Sequence, residues 1–375
     1  VAVAGGLSAP VVALAQSSVT ISGNIKMSLQ QYKISNASAA RAGLNNSESL
    51  IHDDSWRIIF NMTEDLGGGL QAIAQIDWRV QPDAGSDAIS GNNHVGLRGK
   101  SWGRVFFGRQ DVHYFGRESD LTVKNDLQSD SISLLAYVAG AGTGVAGPGI
   151  AIAGATRTAN IVHYTTPNWG GFTGVVAYSF NPAGAAEADL TTGIRKGYAW
   201  NVAPTFEGRN FTVGYSYWSQ KADATTVAGN QRGDRLFGSY RWGGFRIGLA
   251  WDKSKVTNEG VINVVTGSTT VAKRDAWSVP IEYTWGPHWI GGHYTKANDD
   301  KATSGISDGA KMWAVGYNSS LSKRTSVGVT YAQVSNDAGA VYTPFTAGGA
   351  LGAPGHNALP GEDPRFWSMT IRHAF

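Results

Sequence analysis

Along most of this chain, apolar and polar residues alternate one by one. In "WRIIFNM", Trp56, Ile58, Phe60 and Met62 share one face, and Arg57, Ile59 and Asn61 the other. In "LQAIAQIDWR", Leu70, Ala72, Ala74, Ile76 and Trp78 oppose Gln71, Ile73, Gln75, Asp77 and Arg79. "FRIGLAWD", "WSVPIEYTW" and the final "FWSMTIRHAF" repeat the rule. A period of two predicts β-strands with two unlike faces. Sixteen segments follow it, at about 18–33, 55–66, 70–80, 93–100, 104–115, 157–167, 171–181, 197–207, 210–221, 234–242, 245–257, 273–286, 288–298, 311–320, 325–336 and 364–375.

Short and long connections alternate between these segments. The short ones are "DLGGGL", "SWGRV", "NWGGF", "FEGRN", "RWGGF", "TWGPHW" and "LSKRT". An antiparallel barrel that crosses a membrane has this form, with tight turns at one rim and long loops at the other. Four turns carry Trp-Gly, at Trp102, Trp169, Trp242 and Trp285, which suits an aromatic girdle. The charged residues Arg57, Asp77, Arg79, Arg98, Arg241, Arg246, Glu282 and Arg372 lie on the polar face, while the apolar face is nearly free of charge at mid-strand. A cation in lipid would cost about 2–4 kcal/mol, so the polar face is expected inside. Sixteen strands enclose too wide an interior for side chains to fill, which implies a water channel.

Composition changes this picture little. The 375 residues are 42% hydrophobic and only 16% charged, with 49 Gly and 13 Trp. Cysteine is absent, which excludes disulfides, thiolate metal sites and a Cys nucleophile. A net charge of +3 without Lys/Arg runs argues against nucleic-acid binding. Residues 1–15 end in Ala13-Leu14-Ala15 and read as the remnant of a secretory signal peptide, leaving 16–375 as one barrel domain. The uncharged stretch Ser131–Thr156 is too rich in Gly, with a Pro, for a membrane helix.

"SSVTISG", "TEDLGGGLQAIAQID", "VGLRGKSWGRVFFGRQ", "ANIVHYTTPNWGGFTG" and "IRHAF" together resemble the trimeric general porins of Gram-negative outer membranes, β-proteobacterial type. The resemblance covers nearly the whole chain. It implies an all-β fold: a 16-stranded antiparallel transmembrane β-barrel with long extracellular loops, short periplasmic turns and an inward-folded third loop. It further implies a bacterial outer-membrane homotrimer, no enzymatic activity, and passive diffusion of small hydrophilic solutes and ions. Within it, the constriction loop corresponds to about 116–156, with Glu118, Asp120, Asp126 and Asp130. The facing wall corresponds to Lys26, Arg57, Arg79, Arg98 and Arg157, which gives an anion preference. His163 stands where related sequences often carry Arg, and would make that preference depend on pH. Phe375 corresponds to the aromatic read by the outer-membrane assembly machinery. Arg109 shares the parity of Phe107 and would face a subunit interface.

Other readings compete. The inward Arg residues would merely brace the barrel if they pair with Asp77, Glu282 or Asp252. "HDD" at 52–54 and "NDD" at 298–300 would hold Ca²⁺, bridge lipopolysaccharide through divalent cations, or stay solvated; no other cofactor is implied. "GISDG" at 305–309 fits a nucleophile-elbow pattern, and "GTGVAG" at 142–147 a dinucleotide fingerprint, but neither has the strand–helix context its chemistry needs. A solute-specific outer-membrane channel and a secreted β-rich glycan-binding protein are the alternative functions.

Overall fold

The alternating segments become strands in the computed structural model, which describes residues 17–43, 46–53, 56–81, 85–113, 131–135, 137–138, 150–151, 157–182, 197–221, 230–257, 270–302, 305–344 and 358–375. The strands are β1 (Ser17–Ser35), β2 (Ser47–Asp53), β3 (Arg57–Gly67), β4 (Leu70–Gln81), β5 (Ser86–Ala88), β6 (Asn93–Gly99) and β7 (Gly103–Asp111). A four-residue helix α1 (Ile132–Leu135) and a small pair, β8 (Tyr137–Val138) with β9 (Ile150–Ala151), follow. Then come β10 (Arg157–Thr165), β11 (Phe172–Ser179), β12 (Tyr198–Glu207), β13 (Phe211–Lys221), β14 (Asn230–Trp242), β15 (Phe245–Thr257) and β16 (Thr270–Trp285). The last four are β17 (His288–Ala297), β18 (Ala310–Ser320), β19 (Thr325–Asn336) and β20 (Asp363–Ala374).

Each strand pairs antiparallel with its chain neighbour, and the sheet closes on itself as a sixteen-strand barrel. Two staves are made of two pieces. β3 and β2 pair in succession with β1, and β6 and β5 with β4. Closure runs from Ser35↔Asp363 to Asn24↔Ala374 between β1 and β20. Beyond it, Gly23 and Phe375 exchange backbone hydrogen bonds of 3.1 and 3.2 Å. No β-carbon fits at Gly23, because it would collide with the Arg57 carbonyl and the Phe375 ring. The "LGGGL" turn needs its glycines for another reason: Gly67, Gly68 and Gly69 have φ of 83, 60 and 80°, a region that side chains disfavour.

The two faces separate as the pattern demands. On β20 the outer row Trp367, Met369 and Ile371 is 60, 64 and 55% exposed, while Phe366, Ser368 and Thr370 between them are buried. Outward Trp169, Phe172, Trp242, Phe245 and Trp285 ring the short-turn rim. Trp200, Trp251, Tyr294, Trp313 and Trp367 form a second exposed aromatic row nearer the long loops. Two such rows bounding an apolar band are the outer surface of a barrel in lipid.

The polar inner face of the barrel is interrupted by an apolar stretch. One half of the inner wall carries small residues, including Ala177, Ala199, Ala250, Ala276, Ala297 and Ala310. Their low side chains leave room for Val112, Ile132, Leu134 and Leu135, which pack on them together with Trp218, Phe237 and Met312. Val112 at the start of the longest connection and Ile132, Leu134 and Leu135 in its middle therefore lie inside the barrel, where they are buried.

Candidate pore-lining site

The inward connection is fastened at two points by polar groups. Just after β7, His113 Nδ1 lies 2.9 Å from Ser216 Oγ on β13, its Nε2 3.8 Å from Asp252 Oδ2 on β15, and its backbone N–H 3.5 Å from Asn201 Oδ1 on β12. The ring is fully enclosed, and burial, seconded by the charge of Arg235, pushes its pKa well below the ordinary value. Midway along, Arg274 on β16 donates to the carbonyls of Leu134 and Leu135, the latter at 2.8 Å. Its guanidinium also lies 5.9 Å from the Tyr342 ring centroid and donates to the Tyr342 hydroxyl at 3.3 Å. Free helix carbonyls carry partial negative charge, so a cation there satisfies both hydrogen bonding and the local dipole.

The opposite wall carries a basic strip. On β1 and β20, Lys26 and Arg372 are direct cross-strand partners on the inner face. Asn24, two residues before Lys26, pairs with Arg57 of β3, and Arg57 pairs with Arg79 of β4. Arg372, Lys26, Arg57 and Arg79 thus occupy four consecutive staves on one face. Diagonal neighbours in a sheet lie about 7–8 Å apart, so these charges act together. Their states differ. Arg79 is clamped by Asp77, with Nε to Oδ1 and Nη2 to Oδ2 both 2.8 Å. Arg57 has an enclosed Nε without a partner, and makes no ion pair among the described residues.

Arg157, at the start of β10, reaches this group across an irregular step in the ladder. A register shift between Thr158 and Ile161, with Asn160 at φ 52°, turns Thr158 rather than Arg157 in line with Ile161 and His163. Arg157 instead bonds Asp111 at 2.9 Å and the Ser90 carbonyl at 3.5 Å. It stays within electrostatic reach of Arg57, and Arg109 in turn is within reach of Arg157 and Arg79. Four guanidinium groups there face two carboxylates, Asp77 and Asp111.

Arg98 stands apart. It hydrogen-bonds Gln71 at 2.7 and 3.0 Å beside the turn before β7. Gln71 is eight residues from Arg79 on β4, about 26 Å along the strand. His163 is also set aside from open water: its ring stacks on Phe106 at 4.5 Å, and Phe106 stacks on His94 at 4.2 Å. Glu118, Asp120, Asp126 and Asp130 lie outside the described residues, as do residues 1–15 and "GTGVAG". Asp299 and Asp300 use an oxygen each on loop N–H groups, of Asp308 and Gly309 and of Lys273 and Ala302 respectively. Burial raises the pKa of Asp300. Sequence reasoning missed the anchoring groups Asn201, Ser216 and Arg274, and raised Asp252 only as a brace for the inward Arg residues. The available signal was polar residues at inward parity in direct register, as in Ser216↔Arg235↔Asp252.

The sequence model of the Gram-negative porins matches residues 1–339. An outer membrane porin protein of Bordetella pertussis is 29% identical over 209 residues, 51% of this chain and 50% of that protein. Outer membrane porin protein 32 of Delftia acidovorans is 30% identical over 185 residues, 47% of each chain. The chain thus aligns with about half the length of the curated relatives it matches. An anion-selective porin from Comamonas acidovorans superposes with a TM-score of 0.75 at 20% identity, over 96% of this chain and all of that one. OmpT of Vibrio cholerae in its trimer form gives 0.65 at 12% identity, over 96% of this chain and 99% of that one. At these identities the superpositions speak for the fold. The family match over residues 1–339, on a closed sixteen-strand barrel, makes this chain a member of the Gram-negative porin family of the bacterial outer membrane.

Proposed function

We propose that the barrel is a passive channel for small hydrophilic solutes and ions, that it prefers anions, and that it works as a homotrimer. The observation that carries the preference is the strip Arg372–Lys26–Arg57–Arg79, in which Arg57 makes no ion pair among the described residues. A cation facing water attracts an anion by about 0.5 kcal/mol at 8 Å, enough to bias passage without trapping. The Comamonas porin that shares the fold is anion-selective, which agrees with this reading. The family points to a channel rather than an enzyme.

For the trimer, the support is the apolar outer surface of the early staves, where Val19, Ile21, Val95 and Phe107 are exposed. Planar-bilayer recording in a KCl gradient tests the preference: the reversal potential should take the sign of anion flow, and cation selectivity would overturn the reading. Light scattering in mild detergent tests the trimer; a stable monomer would count against it.

A further inference from the structure

A pocket of about 310 Å³ opens in the inner wall at the short-turn mouth, on the far side of the lumen from the basic strip. It is built from β12, β13, β14 and β15 and the turn between β12 and β13. Cross-strand register explains the space. Glu207, Thr212, Ser239 and Gly248 form one inner rung, in which only Glu207 has a long side chain. The rung nearer the long loops is Thr205–Gly214–Phe237. The Phe237 ring lies over Gly214, where a β-carbon would collide with it. Phe237 thereby closes the inner end of the pocket, and the rung of short side chains beside it leaves the cavity open.

The rung at the mouth is Arg241–Arg246–Glu282. Two like charges in direct cross-strand register repel each other. The carboxylate beside them relieves only one. Glu282 accepts from Arg246 Nη1 through one oxygen and from Trp289 Nε1 through the other, both at 3.1 Å. Arg246 is thereby held, and it is buried. Arg241 is tied through its backbone, whose N–H donates to the Asn210 carbonyl at 2.7 Å. Its guanidinium makes no ion pair among the described residues. Arg209, in the turn that this bond anchors, lines the same pocket and likewise makes none among them. Three guanidinium groups thus converge from one turn and two strands. The hydroxyls of Thr205, Thr212 and Ser239 stand beside them, with Glu207 as the one acid of the lining.

We infer that this pocket binds the phosphate group of a small anionic solute. Charge selects an anion: with Glu282 engaged by Arg246, the cations Arg209 and Arg241 face Glu207 alone. The number and direction of the donors select phosphate over carboxylate. A carboxylate offers two coplanar oxygens, which a single guanidinium fork satisfies. A phosphate monoester offers three acceptor oxygens and up to two charges, which donors arriving from several directions can share. Size selects a small molecule, because 310 Å³ lies at the low end of ligand pockets, which reach about 1,000 Å³. The inference rests on the reading of the lumen as a water-filled channel, and not on the basic strip or its selectivity. Binding measured in detergent and selectivity measured in a bilayer therefore fail separately.

The test titrates the folded protein in detergent and dilute salt with glycerol 3-phosphate, followed by its ³¹P NMR signal. A pH of about 7.5 keeps the ester doubly charged, since its second pKa is near 6. Inorganic phosphate should compete at similar concentration, because the phosphate is the group recognised. Succinate, of equal charge, should compete about fivefold more weakly. Arg241→Gln should weaken binding about tenfold, the effect of one lost hydrogen bond to a charged group, with Arg241→Lys intermediate. Glu207→Gln should tighten it about threefold, the factor that a unit charge at about 7 Å in water contributes, and misfolding cannot imitate a gain. Lys255→Gln, on the exposed outer face of β15, should leave it unchanged. Unaltered binding in Arg241→Gln, or an equal fall in Lys255→Gln, would overturn the site. Succinate competing as well as phosphate would overturn the ligand class. Ester binding that inorganic phosphate fails to displace would show that the organic part is read instead, and would overturn phosphate recognition.

Discussion

Replacing Arg57 by Glu should strongly reduce, and at low salt reverse, the anion preference. Arg57 makes no ion pair among the described residues, although Asp77 and Asp111 lie within electrostatic reach, so much of its charge acts on the lumen. At about 8 Å in water a unit charge contributes roughly 0.5 kcal/mol, attracting the anion and repelling the cation by similar amounts. Removing the charge therefore changes the permeability ratio by about 1 kcal/mol, or fivefold, and reversing it by about 2 kcal/mol, or thirtyfold. At physiological salt, screening over about 8 Å reduces these to roughly twofold and fourfold. Arg79→Gln makes the informative contrast. Arg79 is neutralised by the two-bond clamp of Asp77, whose carboxylate is buried. Its loss should cost on the order of 3 kcal/mol in stability by leaving that charge uncompensated, and should shift selectivity further toward cations through the bared carboxylate. Reversal potentials in 0.1 M and 1 M KCl gradients, read beside thermal melts, separate the two variants. An unchanged reversal potential for Arg57→Glu in dilute salt would refute the assignment of Arg57 to the conducting wall.

Arg274→Ala should free α1 from its hold on β16; with two charged hydrogen bonds lost, we expect about 3 kcal/mol of destabilisation and noisier single-channel current, with Arg274→Lys intermediate. Gly23→Ala forces a β-carbon against the Arg57 carbonyl at the closing seam, and should lower the temperature at which the folded band unfolds on a heat-shift gel. Glu362 joins two loops, accepting from Ser38 N–H and Oγ at 3.0 and 2.9 Å, Arg41 Nε at 2.7 Å and Leu359 N–H at 2.8 Å. Burial pushes its pKa up, but these donors outweigh it and hold the carboxyl below its ordinary value. Its contribution is thus complete above about pH 4.5 and is lost as pH falls through the folded value. Glutamine mimics the protonated state, so Glu362→Gln should speed tryptic cleavage after Arg41 at pH 8; an unchanged rate would show that the carboxylate does not hold the loops together.

Strand existence, turn positions and the division into lipid and lumen faces were legible in the chain, because a period of two is a local property and each short turn carries its own chemistry. Arg57 and Arg79 could be placed on one inner face for the same reason: one hairpin joins them, and its turn fixes their register. The same logic assigned Arg98 to the wall, but the face does not determine height, and the tight turn before β7 holds it beside Gln71, far from Arg79. Arg157 was reached through the resemblance rather than through alternation, and one irregular step at Thr158–Ile161 sets it opposite Asp111. What lies across the lumen belongs to tertiary structure alone. Nothing local relates His113 to Ser216 and Asp252, or Arg274 to the carbonyls of Leu134 and Leu135. Those partners are far apart in sequence and meet only once sixteen staves have closed and the inward segment has found the row of alanines that makes room for it.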